Sequence, residues 1–164
     1  MSEVHVTGLA DLQRALDTLP AKIERNILRG ALRAGAKVTL ARAKDVAPAE
    51  KFGPHAGALR AGLSIKTSSR GGTVKATVST GGKAFYARFV EYGTKAHWIK
   101  PKHHRSLFFA GIARKAVRHP GAKANPFMLV ALNSTAHAAV VAFAEYIRAR
   151  LIKKHGIDIP SESN

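Results

Sequence analysis

The chain contains no cysteine, which excludes disulfide frameworks and thiolate metal centres together. Acids are scarce as well: 10 against 27 lysines and arginines, a formal net charge of +17. Between Lys51 and Phe143 the only acid is Glu91, although more than half of the basic residues fall in that span. Paired-carboxylate acid/base machinery therefore cannot be assembled from the middle of the chain. Ser64, Ser79 and Ser106 lack the elbow sequence of a serine nucleophile. Gly71-Gly72 and Gly81-Gly82 read as hairpin turns, since neither precedes a helix carrying a P-loop lysine. His97, His103 and His104 stand without cysteines or nearby acids, so they match no zinc pattern and read as part of a solvated basic loop. No helix-turn-helix or zinc-finger pattern is present. The sequence thus predicts no enzyme, no cofactor and no metal site. Met1-Ser2-Glu3-Val4-His5 lacks the charged and apolar regions of a signal peptide. No apolar run approaches the ~20 residues of a membrane span, so the expected setting is a cytoplasm-like one.

What is present supports a packed core. An apolar fraction of 46% is that of a globular protein, and the length suits one domain, expected over residues 1–156 with a loose tail at 157–164. Leu9, Leu12, Leu16 and Leu19 recur at helical spacing, and Leu19-Pro20 ends that helix. Pro20 is suited to open the next one, which runs to about Val46 before Pro48. Its predicted inner face is Ile23, Ile27, Ala31, Ala34, Val38 and Ala41, with Lys22, Arg25, Arg29, Arg33 and Lys37 over the rest. The small pairs Gly30/Ala34 and Ala31/Gly35 would let another element approach the backbone closely. A last helix starts after Asn125-Pro126 and runs from Phe127 to about His155, stopped by Gly156.

Between the two long helices the pattern changes. Ala47–Gly62 is a loop rich in glycine, proline and alanine. Leu63–Thr67 and Val74–Thr80 alternate with period two around Arg70-Gly71-Gly72, a β-hairpin with one buried and one basic face. The stretch Ala84–Thr94 is the most aromatic in the chain and reads as a third strand, buried on both faces and ended by Gly93. The expected fold class is therefore α+β: a mainly antiparallel sheet of three to four strands packed by a long N-terminal and a long C-terminal helix. Lys95–Pro126 is the least regular part, with Trp98-Ile99-Lys100-Pro101 extended and Leu107–Ile112 a further strand candidate.

That irregular part also carries the strongest charge signal. Lys95, Lys100, Lys102, Arg105, Arg114, Lys115, Arg118 and Lys123 crowd into about thirty residues, interleaved with Trp98, Phe108 and Phe109. Three readings stay open: a surface that contacts phosphates, a set of solvated lysines, or a loop that meets an acidic neighbour. Glu91, alone among so many cations, calls for a basic partner. Arg88 or Lys95 would supply it within the chain, and another subunit would supply it across a boundary.

Several blocks then carry a resemblance. Gly8-Leu9-Ala10-Asp11-Leu12-Gln13-Arg14-Ala15-Leu16 opens it, followed by the helix ending Ala43-Lys44-Asp45-Val46-Ala47-Pro48. Gly57-Ala58-Leu59-Arg60 comes next, then Tyr86-Ala87-Arg88-Phe89-Val90-Glu91-Tyr92-Gly93-Thr94, and last Asn125-Pro126-Phe127-Met128 with Ala131-Leu132. In this order they resemble the gene-product-ten-like family of neck, or tail-completion, proteins of long-tailed lambdoid phages and related prophages. The chain departs from that pattern at Leu129-Val130, where the family more often has Arg-Pro, and at Ala61-Gly62. The Lys100–Lys123 insert is also more elaborate than is usual there.

The resemblance implies a structural virion protein that completes the neck or tail and joins the head connector to the tail tube as a homo-oligomeric ring, by analogy a hexamer. It implies a subunit interface at Glu91, Arg88, Tyr92 and Thr94, and head-connector and tail-tube proteins as partners. The basic stretch would then meet an acidic protein surface or genomic DNA in the channel, with no membrane involved. The alternative is a free-standing, sequence-independent nucleic-acid-binding protein that uses the 95–123 loop.

Overall fold

The computed structural model describes residues 8–49, 57–102, 104–109 and 111–156. The expected loose tail 157–164 and most of the Lys51–Gly57 loop lie outside these. The chain forms two compact units, one from the segments up to Ala84 and from Phe127 onward, the other Phe85–Pro126.

The first unit is built on helix packing. Helix α1 (Leu9–Asp17) buries Leu12 and Leu16. Helix α2 (Ala21–Val46) begins where Pro20 presents its carbonyl to Ile23 and Glu24, so the start expected from proline is the one observed. Helix α5 (Phe127–His155) lies along α2. The shared core comprises Leu12, Leu16, Ile27, Ala31, Ala144, Ile147 and Leu151. Each large aliphatic side chain there contributes roughly 1.5–3 kcal/mol of burial.

The buried stripe of α2 is Ile27, Ala31, Gly35, Thr39 and Ala43, a run of four-residue steps. It therefore departs from the expected Ala34, Val38 and Ala41, of which Ala41 is exposed. Close approach explains the shift. A Cβ at Gly35 would lie 2.6 Å from the Ala139 carbonyl oxygen, so α5 crosses α2 where side chains are smallest. Beside that crossing the Thr135 hydroxyl donates to the Ala131 carbonyl (2.8 Å), which makes Thr39 the donor to Thr135 (3.0 Å).

Strands β1 (Ser64–Arg70) and β2 (Thr73–Ser79) pair antiparallel, with Ile65 opposite Val78 and Thr67 opposite Ala76. These four are half-buried, while Lys66, Arg70 and Lys75 are exposed, the two-faced hairpin expected. Gly71 (φ 55°) and Gly72 (φ 77°) both take left-handed φ, as a two-residue primed turn requires. The short helix α3 (Ala58–Gly62) buries Leu59 and places Arg60 over the end of α2. There Arg60 Nε and Nη2 donate to the Ala47 carbonyl at 2.9 and 2.7 Å.

The class is α+β with antiparallel pairing, but among the described residues the strands form three two-stranded ribbons and not one sheet of three or four. The third strand of the meander is missing because of Gly81. Its N–H bonds to the Gly62 carbonyl at 2.9 Å, and the chain then enters a 3-10 turn at Gly82–Ala84 instead of running back along β2.

Helix α5 also corrects an expectation. Phe127–Lys154 holds an 18-residue window of mean hydropathy 1.7, long and apolar enough by length and composition to cross a membrane. Asn133, Ser134, Thr135 and His137 interrupt the apolar run in sequence, but the mean stays high. Only 17% of that window is buried. Leu129, Val130 and Leu132 are all about half exposed (53%, 45% and 53%).

Candidate functional site

The second unit holds the residues the sequence singled out. Ala84–Thr94 is not a strand: helix α4 (Ala87–Tyr92) occupies it. Ala87 is buried and Val90 and Glu91 half-buried, at positions i, i+3 and i+4, which is one face of a helix. That face has little aromatic surface, so the rings are left outside: Phe85, Phe89 and Tyr92 are 65%, 46% and 81% exposed. The Tyr86 carbonyl accepts from the Phe89 and Val90 N–H groups at the start of the helix, and Asn125 N–H caps the Val90 carbonyl, whereas a strand here would need a ladder partner.

Beyond α4 the chain makes an arm. Strand β3 (His97–Ile99) pairs with β6 (Val117–His119), and β4 (Leu107–Phe109) pairs with β5 (Ile112–Arg114), both antiparallel. The inner pair is nested within the outer one, with Gly111 (φ 78°) between β4 and β5. The Leu107–Ile112 run, expected as a single strand, is thus a turn flanked by two strands. Trp98-Ile99 is extended as predicted.

The base of the arm is clasped. Thr94 N–H donates to the Ala122 carbonyl (2.9 Å), and Ala122 N–H to the Thr94 carbonyl (3.1 Å) and hydroxyl (2.9 Å). Asn125 N–H is tied to the Val90 carbonyl at 2.8 Å. A glycine on each side lets the two backbones touch. A Cβ on Gly93 (φ 70°) would lie 2.5 Å from the Ala122 carbonyl oxygen, and one on Gly121 (φ 93°) would strike the Thr94 carbonyl oxygen. The Tyr-Gly-Thr of the resemblance block is accordingly a closure element.

α4 and the base of the arm enclose an open groove of about 710 Å³. Helix α4 supplies Arg88, Phe89 and Tyr92, the connector supplies Thr94 and Lys95, and the ribbon supplies His97, Ile99 and His119. The register explains the last three. His97 and His119 are opposite partners and Ile99 lies two residues on, so all three share one face. The histidine rings stack with centroids 5.1 Å apart. A carbonyl accepts at Lys95 O, so His97 Nδ1 carries a proton there (2.9 Å); His119 Nδ1 instead accepts from Gly121 N–H (3.0 Å). Arg88 holds its guanidinium 5.7 Å from the Phe89 ring centroid.

The groove thus gathers Arg88, Tyr92, Thr94 and Lys95 from the predicted residues. Glu91 sits on α4, half-buried, and does not line it. Lys100, Lys102, Arg105, Arg114, Lys115, Arg118 and Lys123 are spread along the arm, and all are exposed. Trp98 (62%) and Phe108 (80%) are exposed among them. An isolated two-stranded ribbon is marginal in water, and these two leave Trp98 and Phe108 largely in solvent. Sequence reasoning missed the outward rings of α4, the His97–His119 stack and the apolar surface of α5. The Ala87/Val90/Glu91 spacing was the available signal for the first.

Residues 10–93, just over half of the chain, match the HK97-gp10-like family, described as "Bacteriophage HK97-gp10, putative tail-component". No curated protein and no solved structure gives a significant match. The chain belongs to this family of phage tail components, and with it to the structural proteins of the virion. The match runs from α1 through Gly93, so the arm and α5 lie beyond it.

Proposed function

We propose that the chain completes the neck or tail of a phage particle as a homo-oligomeric ring joining head connector to tail tube, by binding and without catalysis. The observation that carries this is the apolar helix α5, of whose most apolar 18-residue window only 17% is buried within the chain. Leu129, Val130 and Leu132 lie together near its start, and a neighbouring copy that covers them would gain roughly 1.5–3 kcal/mol per fully buried side chain. Heterologous contacts of this kind close into a ring when the rotation per subunit allows it. Six subunits follow from the family analogy alone. Glu91, Arg88, Tyr92 and Thr94 belong to the interface in this reading, and the arm reaches an acidic connector or tail-tube surface, or the phosphates of DNA in the channel.

The test is native mass measurement across a concentration series, for the wild type and for Leu129→Glu/Leu132→Glu. The expected outcome is one closed oligomer for the wild type and a folded monomer for the variant. A second reading, a free-standing nucleic-acid-binding protein, is favoured by the exposed Trp98 and Phe108 among exposed cations. Tight, salt-sensitive duplex binding by a monomer would support it instead.

A further inference from the structure

The groove between α4 and the base of the arm combines apolar and basic lining. Phe89, Tyr92 and Ile99 are its apolar lining and Arg88 and Lys95 its cations, with Thr94, His97 and His119 beside them. Its occupant should therefore be a short segment that alternates apolar and acidic residues and carries no lysine or arginine. The chain contains such a segment. Residues 157–164, outside the described residues, read Ile157-Asp158-Ile159-Pro160-Ser161-Glu162-Ser163-Asn164. In a chain of net charge +17 this octapeptide holds two acids and no basic residue, and apolar Ile157 and Ile159 flank Asp158.

We infer that the groove of one copy is the docking site for residues 157–164 of a neighbouring copy. Ile157 and Ile159 lie on Phe89, Tyr92 and Ile99, and Asp158 and Glu162 face Arg88 and Lys95. Alternate side chains entering pockets while charges meet at the rim is a common way for a short extended segment to be recognised. A segment exchanged in this way tethers each subunit to the next without further folded surface. The inference rests on the ring reading for the identity of the partner.

The absence of cysteine makes a direct test possible in the full-length chain. Tyr92→Cys and Ile159→Cys are made as separate single variants, mixed, and oxidised mildly. The expected result is a mixed disulfide between the two chains, at a yield at least fivefold above a Ser68→Cys and Ile159→Cys mixture, and abolished by reductant. Adding Arg88→Glu and Lys95→Glu to the Tyr92→Cys chain should return the yield to that of the control. A yield equal to the control in the first mixture overturns the inference. So does a disulfide that forms only within one chain when both cysteines are placed in it. Native mass measurement on the same samples separates the two readings: closed oligomers without the cross-link leave the ring standing and remove the docking site, whereas monomers throughout remove the ring.

Discussion

Thr94 and Ala122, 28 residues apart in sequence, exchange both backbone hydrogen bonds, and the Thr94 hydroxyl adds a third. Everything between them, strands β3 to β6 and most of the second unit's exposed cations, is an excursion closed by this one bridge. It is possible only because Gly93 and Gly121 bring no side chain to the crossing.

Gly121→Ala should therefore open the arm, since a Cβ meets backbone at a left-handed φ, at a cost of about 2–4 kcal/mol. Thr94→Val, which removes only the hydroxyl bond, should cost about 1 kcal/mol. Hydrogen exchange at the Thr94 and Ala122 amides is the readout. Protection should fall sharply in Gly121→Ala and modestly in Thr94→Val, with the α2 amides unchanged.

Gly35→Ala is expected to destabilise although alanine is the better helix former by about 1 kcal/mol. The added methyl lies 2.6 Å from the Ala139 carbonyl oxygen on α5, so the helices must move apart. Overpacking of this kind costs about 1–3 kcal/mol. Urea unfolding followed by helical circular dichroism measures it, and a more stable variant would show that the crossing is loose.

Arg60→Ala should lower stability by about 1–2 kcal/mol, because two charged donors leave the Ala47 carbonyl at the end of α2. Arg60→Lys keeps the charge but not the planar fork and should fall between the two. Thermal unfolding of the three proteins checks the order.

Neutralising Lys100, Lys102 and Arg105 together should leave the unfolding temperature unchanged, since all three are exposed. Particle joining should fail or DNA retention drop. If the arm meets phosphate, the slope of log binding against log salt should decrease by ~0.9 for each phosphate that is no longer neutralised. Full yield of infectious particles would remove the arm from the mechanism.

Glu91→Gln separates two roles for the one acid of the central region. A subunit contact predicts weaker oligomers at unchanged monomer stability, read by native mass measurement and by thermal unfolding. Equal loss of both would make its partner intrachain.

The long elements were legible because their signals are local. Pro20 marks the start of α2, the spacing of Leu12 and Leu16 marks α1, and Gly71-Gly72 marks the hairpin turn. The strand expected at Ala84–Thr94 failed for a non-local reason. Alternation of aromatic and aliphatic residues fits a doubly buried strand, but whether a ladder partner exists depends on Gly81 being bound to Gly62. The inner face of α2 was displaced for a similar reason: Ala34 and Gly35 are nearly equivalent by hydrophobicity, and the approach of Ala139 decides between them. The arm was legible only in part, at Trp98-Ile99 and within Leu107–Phe109, because three-residue strands carry no period. The cations of the site were found by counting, and their arrangement came only with the clasp.

The most direct test is an image of the assembled particle at a resolution that shows α5. A closed ring of this chain between connector and tail tube, with Leu129, Val130 and Leu132 covered by the next copy, is the result expected. Particles that lack the chain, or hold it as isolated copies with those side chains in solvent, would contradict it.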